Sequence, residues 1–135
     1  LHVDIIVRDV RKAVDFMGQL CFSVLREQAI SLRKSEDNPR TSMNGLLRND
    51  KIVLEVIQPL EGRFVNMSFL ETVGEGISHM AFMVDDLEAE VERMAALGFP
   101  VVYGFTHFRY FDTRKVGGMM IELIQREAEG RAELA

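Results

Sequence analysis

The chain has 135 residues, 47% of them hydrophobic and 27% charged, with a net charge of −5. That length and balance fit one soluble domain with a real core. They argue against a nucleic-acid partner, because no basic face stands out. No apolar run approaches the roughly 20 residues of a membrane span, so no membrane partner is expected. The single cysteine, Cys21, cannot form an internal disulfide. It suits a reducing, cytoplasmic setting and reads as a packed residue rather than a nucleophile. The chain opens at Leu1 rather than Met, which implies preceding residues.

In chain order, His2 to Val7 is apolar and β-branched, which predicts a strand. Asp9 is placed to cap a helix whose inner side is Val10, Val14 and Met17, with Arg11, Lys12 and Asp15 facing water. Phe22 to Leu25 resumes as a strand. Ser31 to Met43 is polar and charged and is expected to be a loop or hairpin tip. Gly45–Leu47 and Ile52–Ile57 are expected strands joined by a turn at Asn49-Asp50. Pro59 is expected to end the sheet. A short helix is expected over Arg63–Leu70, followed by a turn at Gly74-Glu75-Gly76.

The same plan then recurs. Ser78–Val84 is a strand, and Asp85 or Asp86 caps a helix with Leu87, Val91, Met94 and Leu97 on its inner side. Gly98 stands at the helix C-cap. Pro100–Tyr103, Phe108–Asp112 and Met119–Gln125 are strands, with a turn at Gly117-Gly118 before the last. Residues 126–135 are expected to form a frayed tail. The expected organisation is a single domain: module one over about 1–60, a linker over 61–76, module two over about 77–127, and a tail over 128–135. The expected fold class is α+β, two βαβββ modules forming a cupped, mixed eight-stranded sheet.

The repeat is visible in the residues themselves. His2/His79, Val7/Val84, Asp9/Asp86 and Val10/Leu87 recur at one offset. L-E-V-I-Q around Glu55 and I-E-L-I-Q around Glu122 recur at another. Self-similarity of this kind reports repeated architecture. A glutamate inside V-L-E-V-I or M-I-E-L-I is costly unless it faces water, a cation or a metal. A solvent-facing edge position would explain one such Glu; two His and two Glu at duplicated positions favour a metal. His2, Glu55, His79 and Glu122 are therefore the candidate metal ligands. A mixed imidazole and carboxylate set suits Zn, Co, Ni, Mn or Fe(II) with positions left for substrate oxygens. Such an ion acidifies a C–H beside a carbonyl it polarises, and a nearby carboxylate takes the proton. Glu122 and Glu55 are the candidate bases.

The chain resembles the vicinal-oxygen-chelate superfamily, the glyoxalase, bleomycin-resistance and dioxygenase group. The resemblance covers about the whole chain. It lies in H-x-x-I-x-V-x-D-x-x-x-A-V-x-F (His2 to Phe16), L-E-V-I-Q-P-L (Leu54 to Leu60), G-E-G-I-S-H-M-A-F (Gly74 to Phe82) and F-D-T-R-K-V-G-G-M-M-I-E-L (Phe111 to Leu123). It implies the glyoxalase-like fold, a divalent metal ion on the four residues named, a small-molecule substrate and a homodimer. The epimerase branch is favoured by L-E-V-I-Q-P-L and by S-F-L-E-T-V-G-E-G-I-S-H (Ser68 to His79), so epimerase-like proton transfer next to a carbonyl or thioester is the leading expectation. That branch's second catalytic carboxylate would fall near Glu36 or Asp37. The R-Y-F-D-T-R-K segment (Arg109 to Lys115) departs from the epimerase pattern.

Bacterial glyoxalase I, which acts as a lactoylglutathione lyase, has the same ligand identities and is the first alternative. Its glutathione-binding arginine falls on Ile6, however, and an asparagine of its pattern falls on Pro59. An extradiol dioxygenase would need only His2, His79 and Glu122. A small-molecule binding or resistance protein without catalysis is the remaining alternative. His107 and Lys115 read as surface residues. Tyr110 and Arg114 read as part of a solvated hairpin tip, with a substrate carboxylate as the less favoured role. The methionines in strands, Met43, Met80, Met83, Met119 and Met120 among them, read as core filler.

Overall fold

A computed structural model describes residues 1–20, 22–24, 30–35 and 40–127. Its contacts group the chain into two units, one of residues 2–78 and one from residue 79 onward. In the first unit β1 (His2–Ile6) leads into α1 (Val10–Gln19), followed by β2 (Ser23–Val24), β3 (Ile30–Ser35), β4 (Arg40–Arg48), β5 (Val53–Glu61) and α2 (Val65–Thr72). β5 pairs parallel to β1 and antiparallel to β4. β2 and β3 both pair antiparallel with β4, at successive stretches of it. In the second unit β6 (Gly76–Val84) leads into α3 (Leu87–Ala96), β7 (Val101–Phe105), β8 (Phe108–Phe111) and β9 (Met120–Gln125). β9 pairs parallel to β6 and antiparallel to β8, and β8 pairs with β7.

The two orders are therefore the same. β1–β5–β4 corresponds to β6–β9–β8, and β2 with β3 takes the place of β7. Module two is a βαβββ unit and module one is the same with β2 and β3 in the place of β7, so the glyoxalase-like α+β fold is as the sequence predicts while the described residues hold nine strands rather than eight. The last strand returns beside the first in parallel, which needs a long crossover. The helix and the middle strands, β2–β4 in module one and β7–β8 in module two, supply it.

Alternation along the strands sorts the side chains. In module one Val3, Ile5, Val7, Leu54, Val56, Met43 and Leu47 pack with Val10, Ala13, Val14 and Met17 of α1. In module two Leu87, Met94 and Val91 of α3 pack with Val84, Phe111, Ile121 and Leu123. Each fully buried aliphatic side chain is worth roughly 1.5–3 kcal/mol, so this packing outweighs any single hydrogen bond in holding helix to strands.

The hydrogen bonds fix where each helix begins. Asp9 Oδ1 accepts from the Lys12 amide at 3.1 Å, and Asp86 Oδ1 from the Ala89 amide at 3.0 Å. Gln58 Oε1 accepts from the Val10 amide at 3.1 Å, and Gln125 Oε1 from the Leu87 amide at 2.9 Å. The repeated glutamine is thus a second cap, reaching each helix from the last strand of its module. It satisfies an amide that the helix itself leaves open.

Four expectations change. Ser31 to Met43 is not a loop: β3 covers Ile30–Ser35 and β4 starts at Arg40. In β4, Ser42 falls on the face that α1 leaves uncovered, beside Asn44; residues 36–39 lie outside the described residues. Pro59 does not end β5, which runs to Glu61 with Pro59 opposite Ser42. Ile57 presents its carbonyl to Val7 of β1. By alternation Pro59 turns its missing N–H to that same edge, beyond the end of β1, where no ladder bond is lost. Leu97 is exposed rather than part of the α3 stripe. The Gly98 amide donates to Ala95 O and the Phe99 amide to Met94 O, both at 2.9 Å, with Gly98 at φ 91°. This is a Schellman cap, and it brings Phe99 back onto Met94 in place of Leu97. The helix expected at Arg63–Leu70 lies at Val65–Thr72. Cys21, Leu25, Glu36, Asp37 and residues 128–135 lie outside the described residues. No helix among the described residues is long and apolar enough to cross a membrane.

Candidate functional site

The uncovered face of module one carries donor atoms. His2 and Asp4 alternate on β1, and Asp4 is in register with Glu55 on β5. All three therefore share the face opposite α1. His2 Nε2 lies 3.2 Å from Asp4 Oδ2 and 3.5 Å from Glu55 Oε2. The other oxygen of Glu55 is held separately: Asn44 Nδ2 donates to Oε1 at 2.8 Å. Ser42 Oγ donates to Asn44 Oδ1 at 2.6 Å, which fixes that amide. This chain along β4 orients the carboxylate and leaves Oε2 turned to the imidazole.

Module two repeats the pair. His79 Nε2 lies 3.3 Å from Glu122 Oε2. Both residues are buried, His79 at 1% exposure and Glu122 at 7%. Tyr110, opposite Glu122 in the β8–β9 ladder, brings its hydroxyl to 3.2 Å of the same Nε2. Its ring meets the imidazole edge-on, with centroids 4.8 Å apart. Tyr103, Phe105 and Phe108 continue this face, each in ring contact with another of the cluster or with Tyr110. A register shift between Val101 and Tyr103 turns Tyr103 to the Tyr110 side.

Tyr110 is thus buried beside His79, not on a solvated tip. Arg114 does sit on an exposed turn, where its guanidinium grips Asp112 with Nε at 2.8 Å from Oδ1 and Nη2 at 2.8 Å from Oδ2. That contact holds the Asp112 carboxyl down at about 2 and raises the Arg114 pKa. His107 is exposed. Lys115 lies 4.8 Å over the Phe99 ring, a cation–π contact.

The predicted ligands therefore come together as two pairs, His2 with Glu55 and His79 with Glu122. Asp4 and Tyr110 join them, and Asp4 was not among the predicted ligands. The signal for Asp4 was present, a carboxylate inside an apolar strand two residues from His2. The pairs fit a metal. Their separations of 3.3–3.5 Å exceed the roughly 2.7–2.9 Å of a strong charge-assisted hydrogen bond. They match neighbouring donors on one ion with bonds of about 2.0–2.2 Å. Imidazole with carboxylate is also a donor set that first-row divalent ions accept.

The model of the Glyoxalase/Bleomycin resistance protein/Dioxygenase superfamily matches residues 1–117. The chain belongs to this superfamily. No curated protein sequence matches it. Among solved structures, this superfamily member is similar to methylmalonyl-CoA epimerase from Mycobacterium tuberculosis, at 24% identity and a TM-score of 0.69 over 94% of this chain and 87% of that one. It is similar to a hypothetical protein from Bacillus halodurans, at 18% identity and a TM-score of 0.72 over 96% and 94%. It is also similar to the Streptomyces coelicolor methylmalonyl-CoA epimerase in complex with 2-nitronate-propionyl-CoA, at 19% identity and a TM-score of 0.70 over 94% and 96%. These likenesses establish a shared fold.

Proposed function

We propose that this glyoxalase-superfamily chain is a divalent-metal-dependent enzyme that moves a proton on the carbon next to a carbonyl or thioester, in the manner of an epimerase. One observation carries the reading: the same His Nε2–Glu Oε2 pair, at 3.5 and 3.3 Å, occurs at duplicated places on the uncovered face of both modules. The similarity of fold to methylmalonyl-CoA epimerases points to thioesters. In this reading His2, Glu55, His79 and Glu122 hold the ion, which is Co, Ni, Zn or Mn. When bound, it polarises the substrate carbonyl and so acidifies the neighbouring C–H.

The remaining steps fall to the chain. Glu122 takes the proton. The Tyr110 ring, edge-on to His79, holds that imidazole in orientation. The proton that Glu122 takes passes through solvent to Glu55, which returns it to the opposite face of the carbon; this inverts the centre and restores both carboxylates. The Ser42–Asn44–Glu55 chain keeps that carboxylate in one orientation. Tyr103, Phe105 and Phe108 offer an apolar, water-excluding surface for an acyl body.

The test begins with elemental analysis of the purified protein beside His79→Ala. About one divalent ion per chain, lost in the variant, is expected. Turnover is then measured on 2-substituted malonyl thioesters and on methylglyoxal–thiol adducts. Inversion of the thioester supports the epimerase reading, and activity confined to the adducts replaces it with lyase chemistry. Absence of metal after incubation with Co, Ni, Zn and Mn would discard the enzyme reading in favour of a binding protein. Gel filtration with light scattering tests the homodimer.

A further inference from the structure

We propose that Asp4 is a third metal ligand within module one, so that this module offers one imidazole and two carboxylates. The inference rests on the reading above, that the His/Glu pairs hold a divalent ion. Three observations carry it.

The first is which ring nitrogen Asp4 faces. A carboxylate that merely orients a metal-bound histidine bonds to the nitrogen that does not hold the metal. Asp4 Oδ2 lies 3.2 Å from Nε2, the same nitrogen that Glu55 Oε2 approaches at 3.5 Å. Asp4 therefore stands on the donor side of the imidazole, next to Glu55, and not behind the ring.

The second is burial. Asp4 is 0% exposed, deeper than either His2 or Glu55. A carboxylate in a dry strand interior is a costly choice, and Oδ2 stands where an ion held by His2 Nε2 and Glu55 Oε2 would also meet it.

The third is the other module. Ala81 pairs with Glu122 in β6–β9 as Asp4 pairs with Glu55 in β1–β5. The scaffold accepts a methyl group at that position, so the fold does not demand a carboxylate there. Its presence in one module alone points to the ion. Oxygen donors suit Mn(II) better than they suit Zn(II). Asp4 therefore shifts the relative preference toward Mn(II), and it takes a coordination position that would otherwise be open.

The experiment titrates apo protein with Mn(II), following free ion by electron paramagnetic resonance, and with Zn(II) against a chromophoric chelator. Wild type, Asp4→Asn, Asp4→Ala and His79→Ala are compared, with folding checked by circular dichroism. Both Asp4 variants are expected to weaken Mn(II) at least tenfold and Zn(II) by a smaller factor. Mn(II) affinity within twofold of wild type in both variants overturns the proposal. If His79→Ala loses the ion while the Asp4 variants keep it, only the role of Asp4 falls. If wild type takes up neither ion, the metal reading falls with it. Should neither Asp4 variant fold, a crystal structure of Mn(II)-loaded wild type decides: an Asp4 oxygen at about 2.2 Å from the ion supports ligation, and one beyond contact refutes it.

Discussion

The two modules share a scaffold and differ on one face. In both, a helix is capped twice, by an aspartate at its N-cap and by a glutamine from the last strand. In both, a His faces a Glu on the side away from that helix. The neighbours of these pairs have diverged. Asn44 of module one and Phe108 of module two occupy equivalent rungs, opposite Ile57 and Ile124. Leu46 and Tyr110 are likewise equivalent, opposite Glu55 and Glu122. Module one sets Ser42, Asn44 and Asp4 about its pair; module two sets Tyr110 against its pair, with Tyr103, Phe105 and Phe108 packed on from Tyr110. The difference separates what a duplicated fold must keep, caps and core, from what is free to specialise. One half becomes rich in donors and the other becomes an apolar wall.

The largest expected effect tests the division of labour between the two glutamates. Glu122→Gln should lower turnover of a 2-substituted malonyl thioester at least about 100-fold, with a loss within twofold sinking its role as base. Glu55→Gln should weaken metal binding less than Glu122→Gln, because Asp4 still presents a carboxylate to His2. Metal titration of the two variants side by side measures the asymmetry.

Cores should respond alike, in contrast. Leu47 and Leu87 are 0% and 2% exposed, and Leu→Ala at either is expected to cost about 2–5 kcal/mol in urea unfolding. A cost in one module alone would break the equivalence of the scaffolds. Asn44→Ala leaves Glu55 without its orienting donor and should weaken the metal by about tenfold, while Phe108→Ala, at the equivalent rung, should leave metal affinity unchanged. Gln58→Ala and Gln125→Ala should each cost about 1 kcal/mol, read from thermal or denaturant unfolding.

The smallest effect concerns the turns before the last strands. In module one Asn49 Oδ1 accepts from the Lys51 and Ile52 amides, a neutral arrangement. In module two the turn carries the Asp112–Arg114 ion pair. Asp112 titrates at about 2 rather than its ordinary 3.8. A carboxyl with a lowered folded-state pKa stabilises the fold above its unfolded value and loses that contribution as pH falls from about 4 to 2. The pair is half exposed, so screening by water and salt keeps it under about 0.5 kcal/mol. Asp112→Asn should remove this pH dependence, and Asn49→Ala should not.

Much of the fold was legible because it occurs twice. The strands and helices around His2/His79 and Glu55/Glu122 carry strong periodicity, and the repeat reinforced each reading. A repeat reveals only what recurs, and Asp4 has Ala81 as its counterpart, so the deepest carboxylate escaped notice. Polar character misled at Ser31 to Met43, where Ser42 is polar because, through Asn44 just beyond, it serves Glu55. Tyr110 was misplaced because a Tyr next to Arg109 and Asp112 suggests solvent, while alternation in β8 turns it inward. Leu97 was misread because helical spacing ignores the reversal that Gly98 permits.

The glutamine caps also act as a proofreading device for strand alignment. A slip of β5 or β9 by one residue exchanges its two faces, and burial alone forbids that. A slip by two keeps every face correct and passes the burial check. It would still carry Gln58 or Gln125 away from the first turn of its helix and offer Val56 or Leu60, Leu123 or Glu127, in its place. Only glutamine among these both reaches as a neutral acceptor and stands in step with the glutamate three residues before it. Each module thus fixes the axial position of its histidine-facing carboxylate from the far side of the sheet.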